Sequence, residues 1–97
     1  MLYALIAKDA PGALDKRLAT RPVHLEHLES AGQKLRLAGA LLDADGKPEG
    51  SIVVYEAETI EEATAFFNAD PFVKEGIFAS TEIKPWRLAY DHMSPKA

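Results

Sequence analysis

"SIVVYEAETIEEATAFF", residues 51 to 67, changes its periodicity half-way along, and that change decides the fold. "SIVVYEAE" (51 to 58) is β-branched and apolar on both faces in its middle, as a strand within a sheet is. Thr59-x-x-Glu62 then matches a capping box, in which the threonine hydroxyl and the glutamate carboxylate satisfy backbone N–H groups at a helix start. Ala63, Phe66 and Phe67 follow on the inner side of that helix.

Working outward, "NADPFVKEG" (68 to 76) closes the helix and adds a turn, and "IFASTEIKPWRLAY" (77 to 90) reads as a last long strand. Pro85 cannot donate to a sheet ladder and puts the far end of that strand on an edge. Upstream, "DADGKPEG" (43 to 50) is dense in turn residues, with Asp45-Gly46 marking a hairpin, its loop either two residues or longer. "KLRLAGALL" (34 to 42) alternates Leu35, Leu37 and Leu41 as a strand does. From Leu14 to Ala31 the pattern is helical, with Leu14 and Leu18 four apart and Leu25 and Leu28 three apart. Pro22 interrupts it, so a new helix is expected to begin near Thr20, with Thr20 as its cap and Gly32 as its stop. "LYALIAKD" (2 to 9) is a short apolar run ended by Pro11-Gly12, expected as a strand buried on both faces. Residues 91 to 97, "DHMSPKA", are expected to be a frayed tail on a single domain spanning 1 to 97.

The order β-α-β-β-α-β is the ferredoxin-like arrangement, an α+β fold with two helices on one face of a four-stranded antiparallel sheet. Strands 1 and 3 are nevertheless apolar on both faces, so the free sheet face either stays open on a monomer with a greasy sheet or takes a partner. The partner expected is a second copy laid sheet to sheet, a homodimer closing an α/β barrel.

Composition narrows the function. A formal charge of −4, with acids and bases mixed along the chain, lacks the basic stripe of a nucleic-acid binder or a polybasic membrane patch. There are no cysteines, which excludes thiolate metal sites and a cysteine nucleophile. No basic leader precedes "LYALIAKD" and no apolar run approaches the ~20 residues of a membrane span, so a cytoplasmic protein is expected.

Two histidines stand three residues apart in "TRPVHLEHLESAG" (20 to 32). At about 100° per residue, His24 lies at the edge of the apolar stripe beside Leu28, whereas His27 turns about 60° further toward solvent. His24 is therefore either a packed residue at the core's edge or a base placed for chemistry. Metal binding is not expected, because Glu26 points elsewhere and His92 lies in the tail. Asp70, before Pro71, caps a short turn, and needs no further role unless it meets His24 across the domain. Arg17 and Arg21 flank His24, as exposed helix arginines or as holders of an anionic substrate.

"KRLATRPVHLEHL" (16 to 28) and "AFFNADPFVKEGIF" (65 to 78), together with "YALIAKD" and "STEIKPW", resemble the YCII-related (YciI-like) family over residues 2 to about 88. The R-P-x-H-L and D-P-F-x-x-x-G-I-F motifs, in that order, carry the resemblance. It implies the same dimeric barrel and an active-site pair made of His24 and Asp70. It also implies acid/base chemistry of the lyase, dehydrochlorinase or isomerase kind on a small aromatic or enolic metabolite, with no cofactor. Arg21 and Arg17 would then bind a carboxylate or enolate oxygen, and Phe72 and Tyr3 would wall an aromatic ring. The alternatives are a non-catalytic module holding a metabolite in the same cleft, or a haem-handling barrel with His24 as axial ligand. The short 43 to 50 turn departs from a closed site, since it leaves little chain to cover a cleft.

Overall fold

The computed structural model describes residues 1–93; the last four positions of the expected tail, 94–97, lie outside the described residues. Its elements are β1 (Leu2–Asp9), α1 (Leu14–Ser30), a 3₁₀ turn (Gly32–Lys34), β2 (Leu35–Leu42), β3 (Pro48–Glu56), α2 (Ile60–Asn68), the four-residue α3 (Pro71–Lys74) and β4 (Phe78–Trp86). The strands form one sheet in the order β2-β3-β1-β4, and every neighbouring pair runs antiparallel. This is the ferredoxin-like α+β fold that the pattern calls for. No helix among the described residues is long and apolar enough to cross a membrane.

Strand alternation divides the sheet into two faces. Tyr3, Leu5 and Ala7 of β1 point to the helices with Val53 and Tyr55 of β3, and Leu28, Ala63 and Phe67 close over them as the buried core. Gly50 pairs with Lys8 at one end of this strand contact, where a Cβ would sit 2.5 Å from the Ala7 carbonyl oxygen. A side chain there would push β1 and β3 apart. On the opposite face Ile6 pairs with Ile52 and Leu37 with Val54. Ile6 and Ile52 on the central strands and Leu37 on the edge strand β2 keep 38%, 36% and 44% of their surface exposed, so an apolar strip runs across this helix-free face toward β2, although Ala4 and Val54 on the same face are buried.

Local rules account for most boundaries. Thr59 Oγ1 accepts from Glu62 N–H at 3.1 Å, and Glu62 Oε2 accepts from Glu58 N–H at 3.2 Å, one residue ahead of the usual return contact. The hairpin loop spans 43–47; Asp43 Oδ1 accepts from the N–H groups of Asp45 and Lys47, and Gly46 takes φ +79°, which suits glycine.

The expected break at Thr20 does not occur: α1 runs unbroken through Pro22. Proline removes one backbone bond, and its usual acceptor belongs to Leu18. Both residues lie on the exposed side of α1, where water reaches that carbonyl. Meanwhile Arg17, His24 and Leu28 are buried before and after the proline on one stripe, and these contacts hold the two halves in line. Leu18 and Leu25, which help make the pattern look helical, are themselves 52% and 38% exposed. The last strand also stops at Trp86, four residues short of its expected end.

Candidate active site

The stripe that bridges Pro22 also builds the site. Arg17, Arg21, His24 and Leu28 recur at four, three and four residues, which stacks them on one face of α1. They overlook Ala38, Ala40, Ser51 and Val53 of the sheet across a cleft of about 130 Å³, with Phe72 at one wall.

His24 and Asp70 meet across 46 residues of chain. His24 Nδ1 lies 2.8 Å from both carboxylate oxygens of Asp70, and both residues are buried. A carboxylate only accepts, so the neutral imidazole carries its proton on Nδ1 and keeps the lone pair on Nε2. Among the described residues Nε2 has no partner, and no side-chain nitrogen or oxygen shut off from solvent lacks one. Nε2 therefore opens to the cleft that His24 lines.

Asp70 keeps its capping role as well. Its Oδ1 accepts from Phe72 N–H at 2.9 Å, with Pro71 at the first helical position of α3. The two readings of this residue thus coexist, because the cap fixes the carboxylate that holds the histidine. Phe72 in turn fixes the imidazole plane: the two rings stack at 3.8 Å between centroids and 5° between planes.

Arg17 is buried, contrary to the commoner expectation for a helix arginine. Its Nε donates to Asp9 Oδ2 at 2.7 Å, and its Nη2 donates to the Gly50 carbonyl and to Ser51 Oγ, each at 2.6 Å. Its Cζ stands 4.6 Å from the centre of the Phe72 ring, close enough for cation–π attraction. Arg21 is exposed at the cleft and makes no ion pair or hydrogen bond among the described residues. Tyr3 lies away from this wall, in the core between sheet and helices; β1 alternation turns it under α2, where Tyr55 and Phe67 pack. Asp9, at the end of β1, is the counter-ion of Arg17 with its side chain 6% exposed, and neither it nor Ser51 belongs to a motif that marks the site. His27 is a latch between helices: Nε2 donates to the Phe66 carbonyl at 2.8 Å while the ring stacks on Phe66. Among the described residues no three histidine or acidic side chains gather as a metal site would require.

A larger hollow of about 470 Å³ lies between the β1–α1 turn and the β2–β3 hairpin, lined by Lys8, Asp43, Lys47 and Glu49 among others. Its charges alternate, and it contains no oriented acid/base pair.

Residues 1–87 match the model of the YCII-related domain. The chain belongs to that family. Protein YciI of Escherichia coli is 35% identical over 98 residues, covering 93% of this chain and all of the relative. An uncharacterised family relative from Haemophilus influenzae is 32% identical over the same share of both chains. Among solved structures, the YCII-related chain is similar to 5-chloro-2-hydroxyhydroquinone dehydrochlorinase from Burkholderia phenoliruptrix, in complex with 2,5-dihydroxybenzoquinone. That match has a TM-score of 0.86 and 35% identity, and covers 92% of this chain and 96% of the other.

Proposed function

We propose that this YCII-related protein is a small cofactor-free lyase or isomerase in which His24 Nε2 acts as general base on an acidic ring or enolic metabolite. The observation that carries the reading is the aspartate-held imidazole whose free nitrogen opens into a cleft. The dehydrochlorinase relative, crystallised with a dihydroxylated quinone, supports a ring substrate. Nε2 takes a proton from a hydroxyl or acidic C–H. For a chlorinated ring in its keto tautomer, where the chlorine-bearing carbon also carries a hydrogen, the electron pair released at oxygen forms the new C=O and C=C bonds of the quinone as the C–Cl bond breaks and chloride leaves with its bonding pair. One H⁺ and one Cl⁻ depart, so no oxidant is required. In an isomerisation the imidazolium returns the proton to another carbon.

The charges of the site suit such a step. Asp9 and Arg17 cancel, which leaves Asp70 and Arg21 as the unbalanced acid and base. Once the proton has moved, Asp70 faces the imidazolium and Arg21 the new oxyanion, so each developing charge meets its opposite.

The test is chloride release from 5-chloro-2-hydroxyhydroquinone by wild type and His24→Gln. Loss of about 10²- to 10⁴-fold in kcat is the expected contribution of a general base. A variant that turns over at the wild-type rate refutes the base. Wild type that binds the ring and returns it unchanged makes the cleft a binding module.

We further infer that the uncovered sheet face meets the same face of a second copy, closing a dimeric α/β barrel. Ile6 and Ile52 lie on the two central strands of that face and Leu37 on the edge strand β2, with Glu82 and Lys84 on the other edge, β4, so that apolar surface meets a polar rim on the β4 side. Sedimentation should give a dimer for wild type and a monomer for Ile52→Glu; a wild-type monomer at tens of micromolar refutes it.

A further inference from the structure

Ser51 is a buried hydroxyl that the acid/base step does not use. It lies on β3, 3% exposed, and it lines the same cleft as His24. Its oxygen accepts from Arg17 Nη2 at 2.6 Å, which occupies an acceptor site and leaves its own O–H to be donated. No acceptor among the described residues takes that proton. A nucleophilic serine needs a base on its hydroxyl; Ser51 has instead a guanidinium donating to its oxygen, which withdraws electron density and makes it a better donor.

Arg17 reinforces this. Asp9 and Gly50 hold its Nε and Nη2, while Nη1 has no partner among the described residues. Since none of the side-chain nitrogens shut off from solvent is unpartnered, Nη1 also reaches the opening. The Nη1 group, with its two N–H bonds, and the Ser51 O–H on the neighbouring Nη2 thus both lack an acceptor among the described residues. Phe72 links Arg17 to the base: its ring centre lies 4.6 Å from Arg17 Cζ and 3.8 Å from the imidazole centre. Cζ and the imidazole centre are therefore no farther apart than those two lengths laid end to end. The cleft that all three residues line measures about 130 Å³, which limits the ligand to a small compound of about one ring.

We propose that Ser51 is a substrate-binding residue, donating its hydroxyl proton to an anionic oxygen of the substrate, with Arg17 Nη1 as the second donor. Asp9 acts as a positioning residue that fixes the guanidinium through Nε. The substrate class is accordingly a one-ring or similarly short compound with a phenolate, enolate or carboxylate oxygen opposite the position that His24 deprotonates. This rests on the reading of the cleft as a substrate site, but it concerns binding, whereas that reading concerns proton transfer.

The two separate in a titration with 2,5-dihydroxybenzoquinone, an acidic ring diol, beside its neutral dimethyl ether. Wild type, Ser51→Ala, Ser51→Cys and His24→Gln are compared, with thermal melts to verify folding; the cysteine variant keeps the shape should alanine disturb Arg17. Both Ser51 variants should bind the diol at least about tenfold more weakly, the loss of one hydrogen bond to a charged group, and bind the ether as wild type does. His24→Gln should bind the diol within about threefold of wild type, because the donors remain. Equal diol binding by wild type and both folded Ser51 variants overturns the proposal and leaves the base untouched. Equal losses for diol and ether make Ser51 merely structural, which also overturns it. Wild type that fails to bind the diol overturns the anion site together with the ring substrate.

Discussion

Asp70→Asn separates the orienting of His24 from the capping of α3. Asparagine matches the shape of aspartate, and its carbonyl oxygen can still accept from Phe72 N–H, now 2.9 Å from Asp70 Oδ1. The amide NH₂ must then face His24 Nδ1, where both carboxylate oxygens stand at 2.8 Å. Oδ1, also 2.8 Å from Nδ1, is left as the one acceptor there and serves Phe72 N–H as well, while the amide N–H in the place of Oδ2 opposes the Nδ1 proton. The balance moves toward the imidazole with its proton on Nε2 and Nδ1 as acceptor. The nitrogen in the cleft then carries a hydrogen and no longer serves as a base. Turnover should fall nearly as far as in His24→Gln, by about 10²- to 10⁴-fold, the range for a lost general base. Stability should change little by comparison, by about 1–2 kcal/mol for replacing a charge-assisted hydrogen bond with a neutral one. Asp70→Ala loses the cap too, worth about 1 kcal/mol, and leaves Nδ1 unpaired in a buried place, for about 2–4 kcal/mol in all. At about 4–8 °C per kcal/mol for a domain of this size, its melting point should drop well below that of Asp70→Asn. Nitrogen-15 NMR of the imidazole reads the tautomer, thermal unfolding reads the stability, and chloride release reads the activity. If Asp70→Asn keeps the proton on Nδ1 and turns over normally, the carboxylate is a helix cap and nothing more.

Three other perturbations follow from the same geometry. Phe72→Leu removes the flat surface under both His24 and Arg17 while keeping most of a fully buried volume; about 1–2 kcal/mol should be lost in urea unfolding, with a larger fall in activity than in stability. Arg17→Met leaves Asp9 a buried, unpaired charge and should cost about 3–5 kcal/mol, whereas Arg17→Met with Asp9→Leu should cost less than the two single changes added; additive losses would show the pair uncoupled. At the start of α2, the Glu58 N–H, followed by Lys34, holds the Glu62 carboxyl below its usual range, and Glu62 raises Lys34. A depressed acid stabilises the fold above its unfolded pKa, about 4.3, and loses that contribution as pH falls through the folded value. The stability gap between wild type and Glu62→Gln should therefore narrow as pH drops from 7 to 3 in denaturant titrations, and a gap that stays constant would contradict the assignment.

Local chemistry makes a large part of this protein legible in its sequence. β-branching in "SIVVYEAE", the Thr59–Glu62 box and the Asp70-Pro71 cap act over a few residues, so their outcome is written where they stand. The order of elements follows, and with it the sheet on which the helices lie. The R-P-x-H-L and D-P-F motifs single out His24 and Asp70 only through the resemblance to the YCII-related family, whereas helix geometry by itself prefers His24 over His27 and says nothing of Asp70. What only the folded chain decides are contacts between distant residues. Pro22 stays inside α1 because buried side chains on both sides of it outweigh one lost backbone bond, and no local rule sees those contacts. Arg17 becomes a buried donor through Asp9 and Ser51, which lie 8 and 34 residues away, while Tyr3 enters the core through the alternation of β1 beneath α2. Spacing along a chain fixes the face on which a side chain emerges. Which group waits opposite is fixed only when the sheet and helices close, because burial makes each polar atom find a partner or open to the cleft.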